Sequence, residues 1–90
     1  MEHLHTNLGN LDTGSEVIVD VGNAANVRLM DQSNYASYCA GRDHRAAGGY
    51  YTRSRVVLGV PHSGHWHVAV DLGGGNAGQV KAAVRVLAAA

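Results

Sequence analysis

The sequence predicts an all-β fold, a small jelly-roll-like antiparallel β-sandwich of about 6–8 short strands with one short helix near residues 32–40. Three observations carry that prediction. Apolar residues alternate with polar ones in short runs, as at Val17, Val19, Val21 and again at Val56, Leu58, Val60. Turn residues separate these runs, drawn from twelve glycines and from clusters of Asn, Asp and Ser. A single segment, around Tyr35, Tyr38 and Cys39, has helical spacing instead. No long helical patterns alternate with the strands, which argues against a parallel α/β fold.

Met1 to Leu8 alternates weakly, with Leu4, Thr6 and Leu8 on one side and His3 and His5 on the other, and is predicted as the first strand. Gly9 to Ser15 is turn chemistry, since Gly, Asn and Asp tolerate the positive φ of tight turns. Glu16–Val21 is the second strand and Asn26–Met30 the third, separated by a bend at Gly22–Ala25. Asp31 is placed to cap the helix, and Gly41 suits the left-handed position that closes it. Arg42 to Ala47 is a charged loop. Strands resume at Gly48–Arg53 and Arg55–Val60, where Pro61 removes a ladder donor and ends the run. His65–Leu72 and Gly78–Leu87 complete the set.

The last two strands predict a hairpin around the loop Gly73–Ala77. If Leu72 opposes Gly78, then Val70 meets Val80, Val68 meets Ala82 and Trp66 meets Val84, all apolar and on one side. The other side would show His65, His67, Asp71, Lys81 and Arg85 to water or a groove. A slip of one residue would invert both faces, so the register looks strongly specified. Trp66 is thereby expected in the core, where it matters because the chain has no phenylalanine.

Ninety residues make a single domain, 1–90, with no room for a second core. Zero net charge gives no global field to attract nucleic acid or anionic lipid. No run approaches membrane-spanning length and no secretion signal opens the chain. The lone Cys39 rules out an internal disulfide and fits a reducing, cytoplasmic setting.

Three segments together resemble one bacterial family. They are Gly22-Asn23-Ala24-Ala25-Asn26-Val27-Arg28-Leu29-Met30-Asp31 with Asn34-Tyr35; the paired Gly48-Gly49; and Val60-Pro61-His62-Ser63-Gly64-His65-Trp66-His67-Val68 running into Asp71-Leu72-Gly73-Gly74. The set is similar to the family catalogued as domain of unknown function 1883. Ala46-Ala47 departs from it, standing where aromatics are expected before the paired glycines. The resemblance implies a short β-rich bacterial domain, found alone or joined to Toll/interleukin-receptor-type signalling domains. It implies no activity and no catalytic residues. Any signalling role here would need such a partner in trans.

His65 and His67 lie two apart on a strand, so their side chains leave one face about 7 Å apart. They form half of a metal site, for which His62 or Asp71 would supply a third ligand and zinc would be the natural ion. Against this, Arg85 and Lys81 would be near neighbours in the hairpin register. Arg42, Arg45, Arg53 and Arg55, interleaved with Tyr50 and Tyr51, form the best candidate for binding a ligand or partner. Guanidiniums grip carboxylate or phosphate, and aromatics stack on planar groups. If the two strands around Ser54 form a hairpin, these arginines would gather at one end of the sandwich as a patch for an acidic contact.

Other motifs carry less. Cys39 and His44 lack an elbow and an oxyanion hole, so Cys39 is expected to be a buried structural thiol. Gly73-Gly74-Gly75 leads into a strand rather than a helix, which is hairpin geometry and not a phosphate loop. No aspartate spacing matches a calcium loop. The sequence therefore favours a non-enzymatic interaction or ligand-binding module without a cofactor. Its expected partner is a protein or a small acidic ligand, rather than a membrane or nucleic acid, and self-association is left open. The alternative is a metal-binding domain on the His65/His67 face.

Overall fold

Strand-period alternation organises the chain into two antiparallel sheets, with one short helix laid on the first of them. The computed structural model describes residues 4–22, 24–52, 55–71 and 82–88. Its elements are β1 (Leu4–Leu11), β2 (Glu16–Val21), β3 (Ala25–Asp31), α1 (Gln32–Cys39), β4 (Ala47–Tyr51), β5 (Val56–Gly59), β6 (Gly64–Asp71) and β7 (Ala82–Leu87). One sheet has the order β1-β6-β3-β4 and the other β5-β2-β7. No helix among the described residues is long and apolar enough to cross a membrane.

The predicted alternation holds. Val17, Val19 and Val21 on β2 face Val27, Leu29, Trp66, Val68 and Val70 across the sandwich, with Val56, Leu58 and Val60 beside them. Each such side chain contributes roughly 1.5–3 kcal/mol through its burial. Trp66 is 4% exposed, and its indole Nε1 donates to the carbonyl of His62 at 3.0 Å. Asp31 caps α1, accepting the amide of Asn34 at 3.0 Å, and Gly41 follows the helix with φ +73°. The first strand runs further than expected, to Leu11. Gly9 serves a bulge inside the strand rather than a turn after it, taking φ +72° where the register with β6 shifts between Asn7 and Gly9, and Asn10 pairs regularly with His65.

The terminal hairpin is corrected. β6 lies between β1 and β3, with Trp66 opposite Gly9 and Asp31, and Val68 opposite Thr6 and Leu29. β7 instead pairs with β2, setting Val84 opposite Val19 and Val86 opposite Val17. Trp66, Val68 and Val84 do share the core, but across the two layers rather than side by side. Alternation identifies the buried face of a strand; it does not identify the neighbour. Leu72, the expected loop Gly73–Ala77 and residues 78–81 of the expected last strand lie outside the described residues.

The strands flanking Ser54 likewise part company, since β4 pairs with β3 and β5 with β2. Cys39 is corrected too: it is exposed. The eight-residue helix buries Tyr38 and half-buries Tyr35, and Cys39 at its last position falls off the edge of that stripe.

Gly48 has φ +110°, and a Cβ there would run into the carbonyl oxygen of Val27 on the paired strand. Gly49 next to it has open space. Gly48→Ala is expected to destabilise by more than about 2 kcal/mol, against about 0.5 or less for Gly49→Ala. Urea denaturation of the two variants checks this, and equal losses would contradict the close approach of β3 and β4.

Candidate functional site

Two polar regions meet at α1. The first lies beneath it, on the outer face of the first sheet. Since Trp66, Val68 and Val70 point into the core, His65, His67, Ala69 and Asp71 point the other way, and α1 covers most of them. The expected open face is thus corrected: His67 is 4% exposed and Asp71 fully buried. Arg85 belongs to the other sheet, and Lys81 lies outside the described residues.

Asp71 is held from three sides. Tyr38 Oη donates to it at 2.7 Å, Asn26 Nδ2 at 3.0 Å and Arg28 Nε at 3.2 Å. The Arg28 guanidinium also sits over the Tyr38 ring, 5.6 Å from its centre. Burial, and after it the bond to Asp71, push the Tyr38 hydroxyl well above its ordinary range. These bonds tie α1 to β6 and β3.

The histidines form a hydrogen-bonded layer. His67 Nε2 meets Gln32 Oε1, and its Nδ1 lies 2.8 Å from Nε2 of His5 on β1. With the Gln32 oxygen facing it, His67 Nε2 carries the proton, so Nδ1 accepts and His5 donates. His65 Nε2 donates to Asn7 Oδ1 at 2.7 Å. The Tyr35 ring stacks on His5 at 4.3 Å and on His67 at 4.6 Å, and the His65 ring stacks on His67 at 4.9 Å. His5, Asn7, Gln32 and Tyr35 were absent from the sequence-based site. The only local signal was the placing of His5 opposite Leu4 and Thr6.

For the metal reading, the two suggested third ligands go elsewhere. Asp71 is engaged as described, and His62 lies at the end of the sandwich near Asp31. Among the described residues no group of three His, Cys, Asp or Glu is placed to hold a metal ion.

The arginines are likewise divided. Arg45 lies at the Asp31 end of β3, its amide donating to Asn34 Oδ1 at 2.7 Å. Arg55 is at the opposite end, beside Val56, with its Nε 3.3 Å from Asp20. Arg42 is exposed just after α1, its amide bound to the Ser37 carbonyl. Tyr50 is exposed on the edge strand β4 opposite Asn26, and Arg53 lies outside the described residues.

The second region is a cavity of about 460 Å³ at the Asp31 end, between the helix start, the loop around Arg45 and the loop before β6. Pro61, Ala46 and Ala47 supply apolar surface, with Trp66 beside them, and Asp31, Arg45 and His62 supply polar groups. Asp31 Oδ1 accepts from the Asn34 amide and side chain and from Ser33. These bonds, led by the Asn34 amide, hold its carboxyl below the ordinary range, so it stays ionised at neutral pH. Its Oδ2 faces His62 Nε2 at 3.8 Å. His62 Nδ1 donates to the Ser63 carbonyl at 3.2 Å. In the sequence Asp31 reads only as a cap, although it both starts the helix and lines the cavity.

Burial, then the neighbouring His5 and His65, lower the pKa of His67 below its ordinary 6.5. The unfolded chain therefore binds this proton more readily than the folded one. Its contribution to stability is complete above about pH 6.5 and is lost as pH falls toward the lowered value, at no more than about 1.4 kcal/mol per pH unit. Urea midpoints measured from about pH 7.5 to 5.5, above the carboxylate range, should fall. His67→Gln should flatten that dependence; an unchanged slope in the variant would remove His67 as its source.

Residues 1–90 match the family described as Domain of unknown function (DUF1883). No curated protein and no solved structure gives a significant match. With the match running the whole length of the sequence, and with the β-rich fold that the family resemblance implied, the chain belongs to the domain of unknown function 1883 family.

Proposed function

We propose that the protein is a non-enzymatic module that binds a small molecule in the cavity at the Asp31 end. The supporting observation is that Asp31, Arg45 and His62 line one cavity together with the apolar Pro61, Ala46 and Ala47. The volume of about 460 Å³ suits a small ligand, and a few polar groups over apolar surface is the usual make-up of such a site. Arg45 is the residue of the sequence-based arginine cluster that this reading retains. A cytoplasmic setting, resting on the lone Cys39, belongs to the same proposal.

Trp66 reports on the site, because its indole N–H is bound to the His62 carbonyl at the cavity wall. A panel of nucleotides, sugars and amino acids is screened by thermal shift and by the Trp66 indole resonance. A true ligand should raise the melting temperature and move that resonance, and Arg45→Ala should abolish both effects without unfolding the chain. Stabilisation that leaves the Trp66 signal and Arg45 indifferent would place binding elsewhere.

A second reading keeps metal binding on the histidine face. Its support is limited to the two neighbouring imidazoles of His5 and His67, whose nitrogens lie 2.8 Å apart, since no group of three ligands among the described residues is placed to hold an ion. A metal would have to replace the bond between those rings. Zinc titration should then raise the melting temperature, and His67→Ala should remove the rise. An absence of calorimetric heat with micromolar zinc ends this reading.

A further inference from the structure

We infer that the ligand of this cavity is an apolar α-amino acid, bound as a zwitterion with its ammonium on Asp31 and its carboxylate on Arg45. The inference rests on the cavity reading above and narrows it to a chemical class. Asp31 and Arg45 line one cavity with opposite charge, yet they form no ion pair with each other. Among the described residues the Arg45 side chain has no carboxylate partner, while its backbone is fixed by the bond to Asn34 Oδ1.

Asp31 is similarly half used. Oδ1 takes three donors from Asn34 and Ser33, whereas Oδ2 has only His62 at 3.8 Å, beyond hydrogen-bond length. The Asn34 side chain ties the two segments together, since its Nδ2 donates to Asp31 and its Oδ1 accepts from the Arg45 backbone amide. The cavity lining thus carries an acceptor for a cation and a guanidinium for an anion.

That pattern discriminates among ligands. A simple anion on Arg45 would face the Asp31 carboxylate, and a simple cation on Asp31 would face the guanidinium. A neutral sugar would leave both charges uncompensated. A zwitterion satisfies both, with Arg45 able to take the carboxylate in two parallel bonds. Pro61, Ala46 and Ala47, with Trp66 beside them, are then left for the ligand's own side chain, which favours an apolar one.

The test uses the full chain with three probes: L-leucine, N-acetyl-L-leucine and L-leucinamide. Calorimetry and the Trp66 indole resonance follow each titration. L-leucine should bind saturably at millimolar concentration or below. Each capped analogue should bind about tenfold more weakly or worse, because it leaves a charged group of the site unpaired. Arg45→Gln should weaken L-leucine but not L-leucinamide. Asp31→Asn should weaken L-leucine but not N-acetyl-L-leucine, and since asparagine caps helices as well as aspartate, circular dichroism should be unchanged.

Equal binding of all three probes, or variants that do not alter the preference, would overturn the inference. If L-leucine fails while a sugar or nucleotide moves the Trp66 signal, the amino-acid class is wrong and the cavity reading stands. If nothing in either panel moves it, both fall together.

Discussion

A buried carboxylate, Asp71, fixes the arrangement on which the rest depends. It is fully buried, and its ionic and hydrogen-bonding capacity is met by one residue from the helix and two from β3. Removing one partner of such a group strands a charge and costs about 3–5 kcal/mol, whereas replacing the whole set by apolar groups could be neutral. The network's value therefore lies in specification. The Tyr38 hydroxyl donates to Asp71, and that bond helps set where α1 rests. With the helix placed, Gln32 reaches His67, Tyr35 covers the histidines, and Asp31 and Asn34 arrive at the cavity.

The central strand β6 is consequently unusual for a sandwich, being buried on both faces. Trp66, Val68 and Val70 belong to the core between the sheets, while His67, Ala69 and Asp71 belong to the layer under the helix. Polar side chains in that position must be paired, and no buried side-chain nitrogen or oxygen among the described residues is left without a partner. The histidine layer is stiff for the same reason. Each imidazole has its proton position dictated by an amide or by another ring, so a change at one end is felt along the row.

Much of this was legible residue by residue. The valines of β2 gave its bounds and its buried face, and Asp31 and Gly41 bracketed the helix, because each depends on local chemistry. What failed needed long-range information. Trp66, Val68 and Val70 look the same whether their apolar partners lie alongside or across the sandwich, so the paired-strand reading was self-consistent and still wrong. Arg45 and Arg55, close in sequence, stand at opposite ends because β4 runs between them. His65 and His67 were correctly set on one face, but nothing near them in sequence announces the lid that α1 provides. Asp31 hid a second role behind the first, since a helix cap already explains an aspartate at that position.

The order of the strands has a consequence for how the chain is made. Among the described strands, only the step from β3 to β4 joins neighbours of one sheet; every other step crosses to the opposite layer. A nascent chain therefore finds few partners close behind it. β1 has β6 as its sole neighbour, and it waits unpaired while most of the domain is synthesised. Closing so long a loop carries entropy that local contacts have not yet offset, which places folding with the slow, non-local β topologies. The segment β3–α1–β4 alone can assemble early, and it carries the helix cap and the loop of Arg45. The cavity wall that Asp31 and Arg45 form is thus the part of the molecule able to exist first, before there is a core for it to lean on.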